Sequence, residues 1–267
     1  MVGAVIVART PEGLRLVRQA DHAAQCAGLA FSWGNPEFQR VPHWGALVDA
    51  ARLHDNGWRP VDELPPVGAD GAPVDFPDLD RAVHGPMYAR GIADAAAQDP
   101  RVGLLVSRHG QGLYEKRLGL DGPIPARDGR PAVERRFLEG QEALQRDLRE
   151  QLDDADLDGW LWAAYRLLQA WDVLSLYACW GPLDRGETWS LPRVPTHVGD
   201  EAGVDIRLSP DGADRCAMTP WPFRAVWVIV PMRCRVVPDR AYRDSADLQR
   251  ALDATRSTEL LVTLVPG

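Results

Sequence analysis

At 267 residues, with 45% hydrophobic and 25% charged side chains, the chain is long enough to bury a core without staples and too apolar to be disordered. A formal charge of −8 gives no electrostatic reason to expect nucleic acid or an anionic membrane as a partner. Cys26, Cys179, Cys216 and Cys234 are scattered without a CxxC pair, as in a reduced cytoplasmic protein, and no apolar run reaches the ~18 residues of a membrane span.

The opening Met1 to Val7 is apolar but lacks the basic start and small-residue cleavage site of a signal peptide, so the expected location is the cytoplasm. Lys116 is the only lysine among the basic residues, a bias spread over the whole chain. Gly3 to Ala8 and Leu14 to Arg18 read as a β-hairpin around Thr10-Pro11-Glu12-Gly13. A helix follows, with Asp21 as its cap, His22 in its first turn and a stop at Trp33-Gly34-Asn35-Pro36.

A second helix begins near Trp44, and its apolar positions Leu47, Ala50, Ala51 and Leu53 run into the doublet His54-Asp55. Gly57 lets the backbone turn away at once. The proline- and glycine-rich stretch from Trp58 to Asp80 reads as a long ordered loop. Helices are then expected from Leu79 to Gln98, carrying His84, and from Val102 to Tyr114, carrying His109.

After the connection Asp121 to Pro131 come two long helices. Ala132 to Leu152 is heavily charged and half-exposed, whereas Leu157 to Cys179 is apolar enough to be the central core helix. Asp172 falls in the middle of the second, where an unpaired carboxylate would be costly. Beyond Trp180, Val204 to Leu208, Arg215 to Met218, Ala225 to Val230 and Leu260 to Leu264 read as strands, with one helix from Ser245 to Ala254.

His22, His54, His84 and His109 therefore lie on four separate helices, near glycines or helix breaks, and with Asp55 beside His54 and Asp172 on a fifth segment the six can converge. Isolated histidines in helical proteins are mostly hydrogen-bonded residues, and His43 and His197 are set aside on that ground. Four imidazoles and two carboxylates suit iron, manganese or zinc and exceed what one tetrahedral zinc can use. Two ions bridged by Asp55 is the natural count. Trp33, Trp44, Trp58, Trp171 and Tyr114 are near the ligands in sequence and could wall such a site.

The order His22, His54-Asp55-x-Gly57, His84, His109 and Asp172, the last within Leu168-Gln169-Ala170-Trp171-Asp172-Val173-Leu174-Ser175, resembles the HD-domain metalloprotein superfamily in its six-ligand, dinuclear form over about residues 20 to 180. The resemblance implies a basic set of His22, His54, Asp55 and Asp172, with His84 and His109 recruiting a second ion. Trp58 stands three residues after Asp55, where many dinuclear members carry Lys or His, so Arg108, with Arg59 and Arg117, is the candidate replacement cation. Asp55, Trp58 and Arg108 are accordingly placed closest to the chemistry. The full-length pattern also resembles a bacterial family called domain of unknown function 3891. Its features are Gln19-x-x-His22 after the hairpin, His-Asp-x-Gly-Trp, His109-x-x-Gly112-Leu113-Tyr114 and Pro220-Trp221-Pro222-Phe223.

The fold expected is α+β, mainly α. Residues 1–19 form a β-hairpin joining a C-terminal sheet, 20–180 an HD-like helical metal-binding domain, and 181–267 a β-rich region packed on the helical body, with the sheet antiparallel throughout. The resemblance implies a metal-dependent enzyme holding two divalent or mixed-valence ions, iron foremost, with manganese or zinc as alternatives. Its expected reaction is hydrolysis of a phosphoester of a small molecule or nucleotide by metal-bound hydroxide. The alternatives are a diiron oxygenase that oxidises a small molecule and a metal-binding protein without turnover. The expected partner is a small-molecule substrate, neither nucleic acid nor membrane, and a homodimer is allowed.

Overall fold

The structure, a computed structural model, describes residues 5–152, 156–212 and 214–267; Gly3 and Ala4 of the expected first strand lie outside them. Strands β1 (Ile6–Thr10) and β2 (Gly13–Val17) form the hairpin, closed where Thr10 faces Gly13. Helix α1 (Gln19–Ser32) starts before the expected cap. The Asp62 carboxylate, far away in sequence, accepts the backbone N–H groups of Gln19 at 2.9 Å and Ala20 at 3.0 Å. Asp21 sits in the first turn and pairs with Arg18 at 2.7 Å.

Helix α2 (Trp44–Leu53) ends at His54, and a tight turn at Asn56–Trp58 leads into the single turn α3 (Arg59–Asp62). The long loop beyond pairs with itself and with the start of the chain, through Val67 with Pro73 and Val5 with Asp75. Helix α4 (Arg81–Gln98) is capped by Asp80, and α5 (Pro100–Tyr114) by Asp99, which accepts from the N–H groups of Arg101 at 2.7 Å and Val102 at 3.2 Å. With Pro100 in its first position, α5 begins two residues before the expected Val102. A turn, α6 (Lys116–Gly119), precedes the long helices α7 (Ala132–Leu152) and α8 (Leu157–Cys179). The rest holds β3 (Trp189–Val194), β4 (Val204–Pro210), β5 (Arg215–Thr219), β6 (Val228–Val237), α9 (Ser245–Ala254) and β7 (Thr258–Pro266).

The mainly α, HD-like bundle with an antiparallel cap is not what the chain forms. Among the described residues seven strands make one curled, half-barrel sheet in the order β1-β2-β6-β7-β5-β4-β3, and the β5–β7 pair is parallel. Helices hold 48% of the chain and strands 20%, so the sheet is a layer of the fold and not a lid on a bundle. β6 runs to Val237, well beyond the expected Val230, because its second half alternates buried Met232 and Cys234 with exposed Arg233. β3 is not among the strands the sequence pattern indicates, since Pro192 interrupts the run, which is tolerated at the sheet's edge.

Helix α8 is buried along most of its length and forms the axis on which α1, α2 and α5 pack. Trp171 on α8 is fully buried, with Trp33 and Trp44 meeting it edge-on at 5.8 and 5.6 Å. Trp33 and Trp171 are core, and the half-buried Trp44 packs against them. One apolar cluster runs from Cys26 of α1 through α8 to Leu264 of β7, so helices and sheet share their interior. No helix is long and apolar enough to cross a membrane.

Candidate metal centre

Five helical segments converge on one cavity of about 260 Å³, lined by His22 of α1, Asp55 after α2, His84 of α4, His109 of α5 and Asp172 of α8. His54 is buried beside it. The Asp55 turn is held there by backbone contact. A Cβ on Gly57 would lie 2.6 Å from the Met87 carbonyl oxygen, and one on Gly91 would lie 2.3 Å from Asn56 Oδ1. The glycine of the His-Asp-x-Gly motif thus permits close approach to α4.

Four donor atoms form a closed ring. His22 Nε2 lies 3.0 Å from Asp172 Oδ1, which lies 3.9 Å from His54 Nε2; that nitrogen lies 3.3 Å from Asp55 Oδ2, itself 3.9 Å from His22 Nε2. Bonds of about 2.0–2.2 Å to a first-row ion put adjacent donors roughly 3.0–3.6 Å apart, close to these edges. His54 Nε2 is buried and, among the described residues, makes no hydrogen bond. Such a nitrogen fits an ion better than the protein alone.

Both histidines of the ring have their other nitrogen engaged. His54 Nδ1–H donates to the Ala51 carbonyl at 2.8 Å, so Nε2 is the nitrogen that gives up its proton to an ion. The His22 case is read through a chain. Gln25 Nε2 donates to the Pro231 carbonyl of β6 at 2.8 Å, so its Oε1 faces Ser175 and accepts the hydroxyl proton at 2.6 Å. Ser175 Oγ then accepts from His22 Nδ1–H at 2.7 Å, and the His22 Nε2 lone pair faces the ring.

Around this ring the arrangement differs. Asp55 Oδ1 accepts a short hydrogen bond from the Tyr88 hydroxyl, whose pKa is pushed well up by burial and by Asp55 itself. The Tyr88 ring stacks on His84 at 4.5 Å. His84 Nδ1 meets the Tyr114 hydroxyl at 2.7 Å, and His109 Nδ1 meets Gln169 Nε2 at 2.7 Å. Donor atoms of His54, Asp55 and His109 all fall within 4.8 Å of one another, as do those of His22, Cys26 and His54. The Cys26 thiol is pushed well up by burial, then by Asp172 and Asp55, and stays protonated; it donates to the Trp171 carbonyl at 3.5 Å.

Burial and charge sort the titrations. Burial alone would lower His54, but Asp55 and Asp172 outweigh it and raise its pKa to about 9. Burial would raise Asp172, yet His22, 3.0 Å away, and the nearby imidazoles hold it at about 2. Asp55 is held well below the carboxylate range for the same reason, chiefly by His54 against its own burial. His84 falls to about 3 through burial and Arg81, and His109 to about 4 through burial and His54.

Of the other residues singled out in the sequence, Trp58 lines the cavity and meets His84 edge-on at 5.6 Å. Arg108 does not line it; its Nη1 donates to Gln111 Oε1 at 3.1 Å on its own helix. Arg59 is exposed outside it. The cations at the cavity are Arg81 and Arg117. Tyr88, Gln169, Ser175 and Arg81 were not foreseen, although a signal existed. Tyr88 follows His84 by four positions, and Gln169, Asp172 and Ser175 make a polar stripe at spacing three on an apolar helix. Three larger clefts, of about 670, 710 and 390 Å³, lie elsewhere among the described residues and gather no histidine.

A model of the family described as Protein of unknown function (DUF3891) matches residues 5–239. The chain belongs to this family. The matched span of DUF3891 takes in all six clustered residues and the sheet as far as β6. No curated protein matches the chain, and no solved structure matches it.

Proposed function

We propose that this DUF3891 chain is a metal-dependent hydrolase of phosphoesters of a small molecule or nucleotide, with its ion held by His22, His54, Asp55 and Asp172. The ring of four donor atoms, two of them histidine nitrogens with their other nitrogen hydrogen-bonded to protein, carries the reading. The ligand order resembles that of HD-type metalloproteins. The proposal rests on the chemistry of the set and not on the fold.

A divalent ion, when bound, lowers the pKa of a coordinated water and offsets charge developing on a phosphoryl group. The chain's own residues supply the rest. Asp55 and Asp172 stay ionised at neutral pH, because the surrounding imidazoles outweigh the cost of burial. Arg81 lines the cavity as a guanidinium group suited to the non-bridging oxygens of a phosphoryl group. Phe76, Val173 and Leu176 add an apolar wall to the cavity. A volume of about 260 Å³ fits a phosphoryl group with a small adjoining part.

A second reading, a diiron oxygenase acting on a small molecule, is favoured by one feature, the apolar wall of Trp58, Phe76, Leu113 and Leu176. One experiment separates the two. Protein purified under low oxygen is analysed for metal, then assayed anaerobically with Mn²⁺ against chromogenic phosphomonoesters and phosphodiesters. Turnover without oxygen, abolished in Asp55→Ala, is the expected result. Oxygen uptake that depends on an added organic substrate would favour the second reading, and absence of bound metal after reconstitution would overturn both.

A further inference from the structure

We propose that His109 does not ligate a metal but presents an N–H to the cavity, its tautomer fixed by Arg117 acting through Gln169, so that the centre takes one ion and not two. The inference rests on the reading that His22, His54, Asp55 and Asp172 hold an ion.

Arg117 Nε donates to Gln169 Oε1 at 2.7 Å, and Arg117 Nη2 donates to the Gln169 carbonyl at 2.7 Å. A guanidinium has no acceptor, so the amide cannot turn its NH₂ toward Arg117 without setting donor against donor. Gln169 Nε2 therefore faces His109 Nδ1, 2.7 Å away, and donates to it. A neutral imidazole that accepts at Nδ1 carries its proton on Nε2. This is the reverse of His22 and His54, whose Nδ1–H groups donate to Ser175 and Ala51.

Two further observations agree. Lys116, Arg117 and Leu118 of α6 all have left-handed φ, at 52°, 51° and 54°, a conformation that strains L-amino acids by bringing Cβ too close to the following carbonyl oxygen. The chain accepts this strain in the turn that lays Arg117 on Gln169, as expected where a side chain must be aimed. The Asp55 oxygen that would bridge to a second ion, Oδ1, is taken by the Tyr88 hydroxyl. With His109 offering a proton and Asp55 Oδ1 occupied, His84 alone remains of the histidines that would recruit a second ion. The His109 N–H serves instead as a neutral donor to an oxygen of the substrate, and Arg117 and Gln169 are positioning residues.

Two measurements test this. In metal-free protein with ¹⁵N-labelled histidine, long-range ¹⁵N–¹H correlation spectra, assigned with His109→Gln, should show His109 protonated on Nε2; a proton on Nδ1 would overturn the proposal. Equilibrium dialysis against Mn²⁺ should give one ion per chain in the wild type and two in Gln169→Glu, whose carboxylate accepts Nδ1–H and frees Nε2. Arg117→Met, which lets the amide turn over, should move the count the same way. Two ions in the wild type, with neither variant changing the count, would overturn the proposal. If no ion binds the wild type, the hydrolase reading falls, and the spectrum still decides the tautomer.

Discussion

His54 is positively charged in the metal-free protein at neutral pH, because the carboxylates of Asp55 and Asp172 outweigh its burial. Its folded pKa of about 9 stands above the unfolded value of 6.5. The corresponding stability is therefore fully present below pH 6.5 and is lost as pH rises through 9. The shift is worth on the order of 3 kcal/mol. His84 and His109 act oppositely, being held neutral with pKa values of about 3 and 4. Their contribution is present above pH 6.5 and is lost as pH falls toward those values. Metal-free protein should thus have its highest Tm near pH 6.5–7, with losses on both sides. A bound ion requires neutral His54, so Mn²⁺ should abolish the alkaline loss, and affinity should rise about tenfold per pH unit up to about pH 9. Thermal melts from pH 5 to 9.5, with chelator and with Mn²⁺, check this; a metal-free Tm that climbs from pH 7 to 9 would contradict it. The six converging residues were legible in the sequence because their types are uncommon on apolar helical segments. Their proton positions were not, since these depend on Ala51, Gln25 and Gln169, whose roles exist only once the chain is folded.

Elements were readable wherever their ends are set locally. Helices α7, α8 and α9 run between the residues that pattern and flanking breakers indicate. The start of α1 was misread because its cap, Asp62, comes from another element. The tight approach of the Asn56–Trp58 turn to α4 was also hidden, as Gly91 looks like any helical glycine until the turn is docked on it. Gly91→Ala would press a Cβ within 2.6 Å of the Gly57 backbone nitrogen and 2.3 Å of Asn56 Oδ1. Neither contact relaxes without moving the residue next to Asp55. Overpacking of this kind costs about 1–3 kcal/mol, and Tm should fall by several degrees while Mn²⁺ affinity drops. Gly140→Ala is the control: it is exposed on α7 with nothing within 4 Å of the added Cβ, and should gain about 0.5–1 kcal/mol from helix propensity. Equal effects of the two substitutions on metal affinity would show that the docking of the turn does not set the position of Asp55.

At the scale of the molecule, the sheet is tied to the centre through a few polar contacts. Arg15 of β2 is buried against the Cys179 carbonyl at the end of α8 at 3.3 Å and pairs with Asp184 at 2.5 Å. Gln25 of α1 reaches the Pro231 carbonyl of β6 and so orients Ser175 and His22. The curled mixed sheet was not legible beforehand, because alternation along each strand identifies a half-buried strand without naming its neighbour, and the parallel β5–β7 pair joins segments separated by a strand and a helix. The Gln25 link has a measurable consequence. In Gln25→Leu, Ser175 loses the acceptor for its proton and is free to donate to His22 Nδ1, which moves the imidazole proton to Nε2 and removes a ligand lone pair. Gln25→Glu keeps that acceptor while setting a carboxylate against the Pro231 carbonyl, a loss of stability without a change of tautomer. Competition titration against a chelating dye should show Mn²⁺ affinity reduced about 10–100-fold in Gln25→Leu and much less in Gln25→Glu, with the order of their Tm losses not following the order of their affinities. If the two variants lose affinity in proportion to Tm, the link from β6 to His22 is one of packing and not of proton placement.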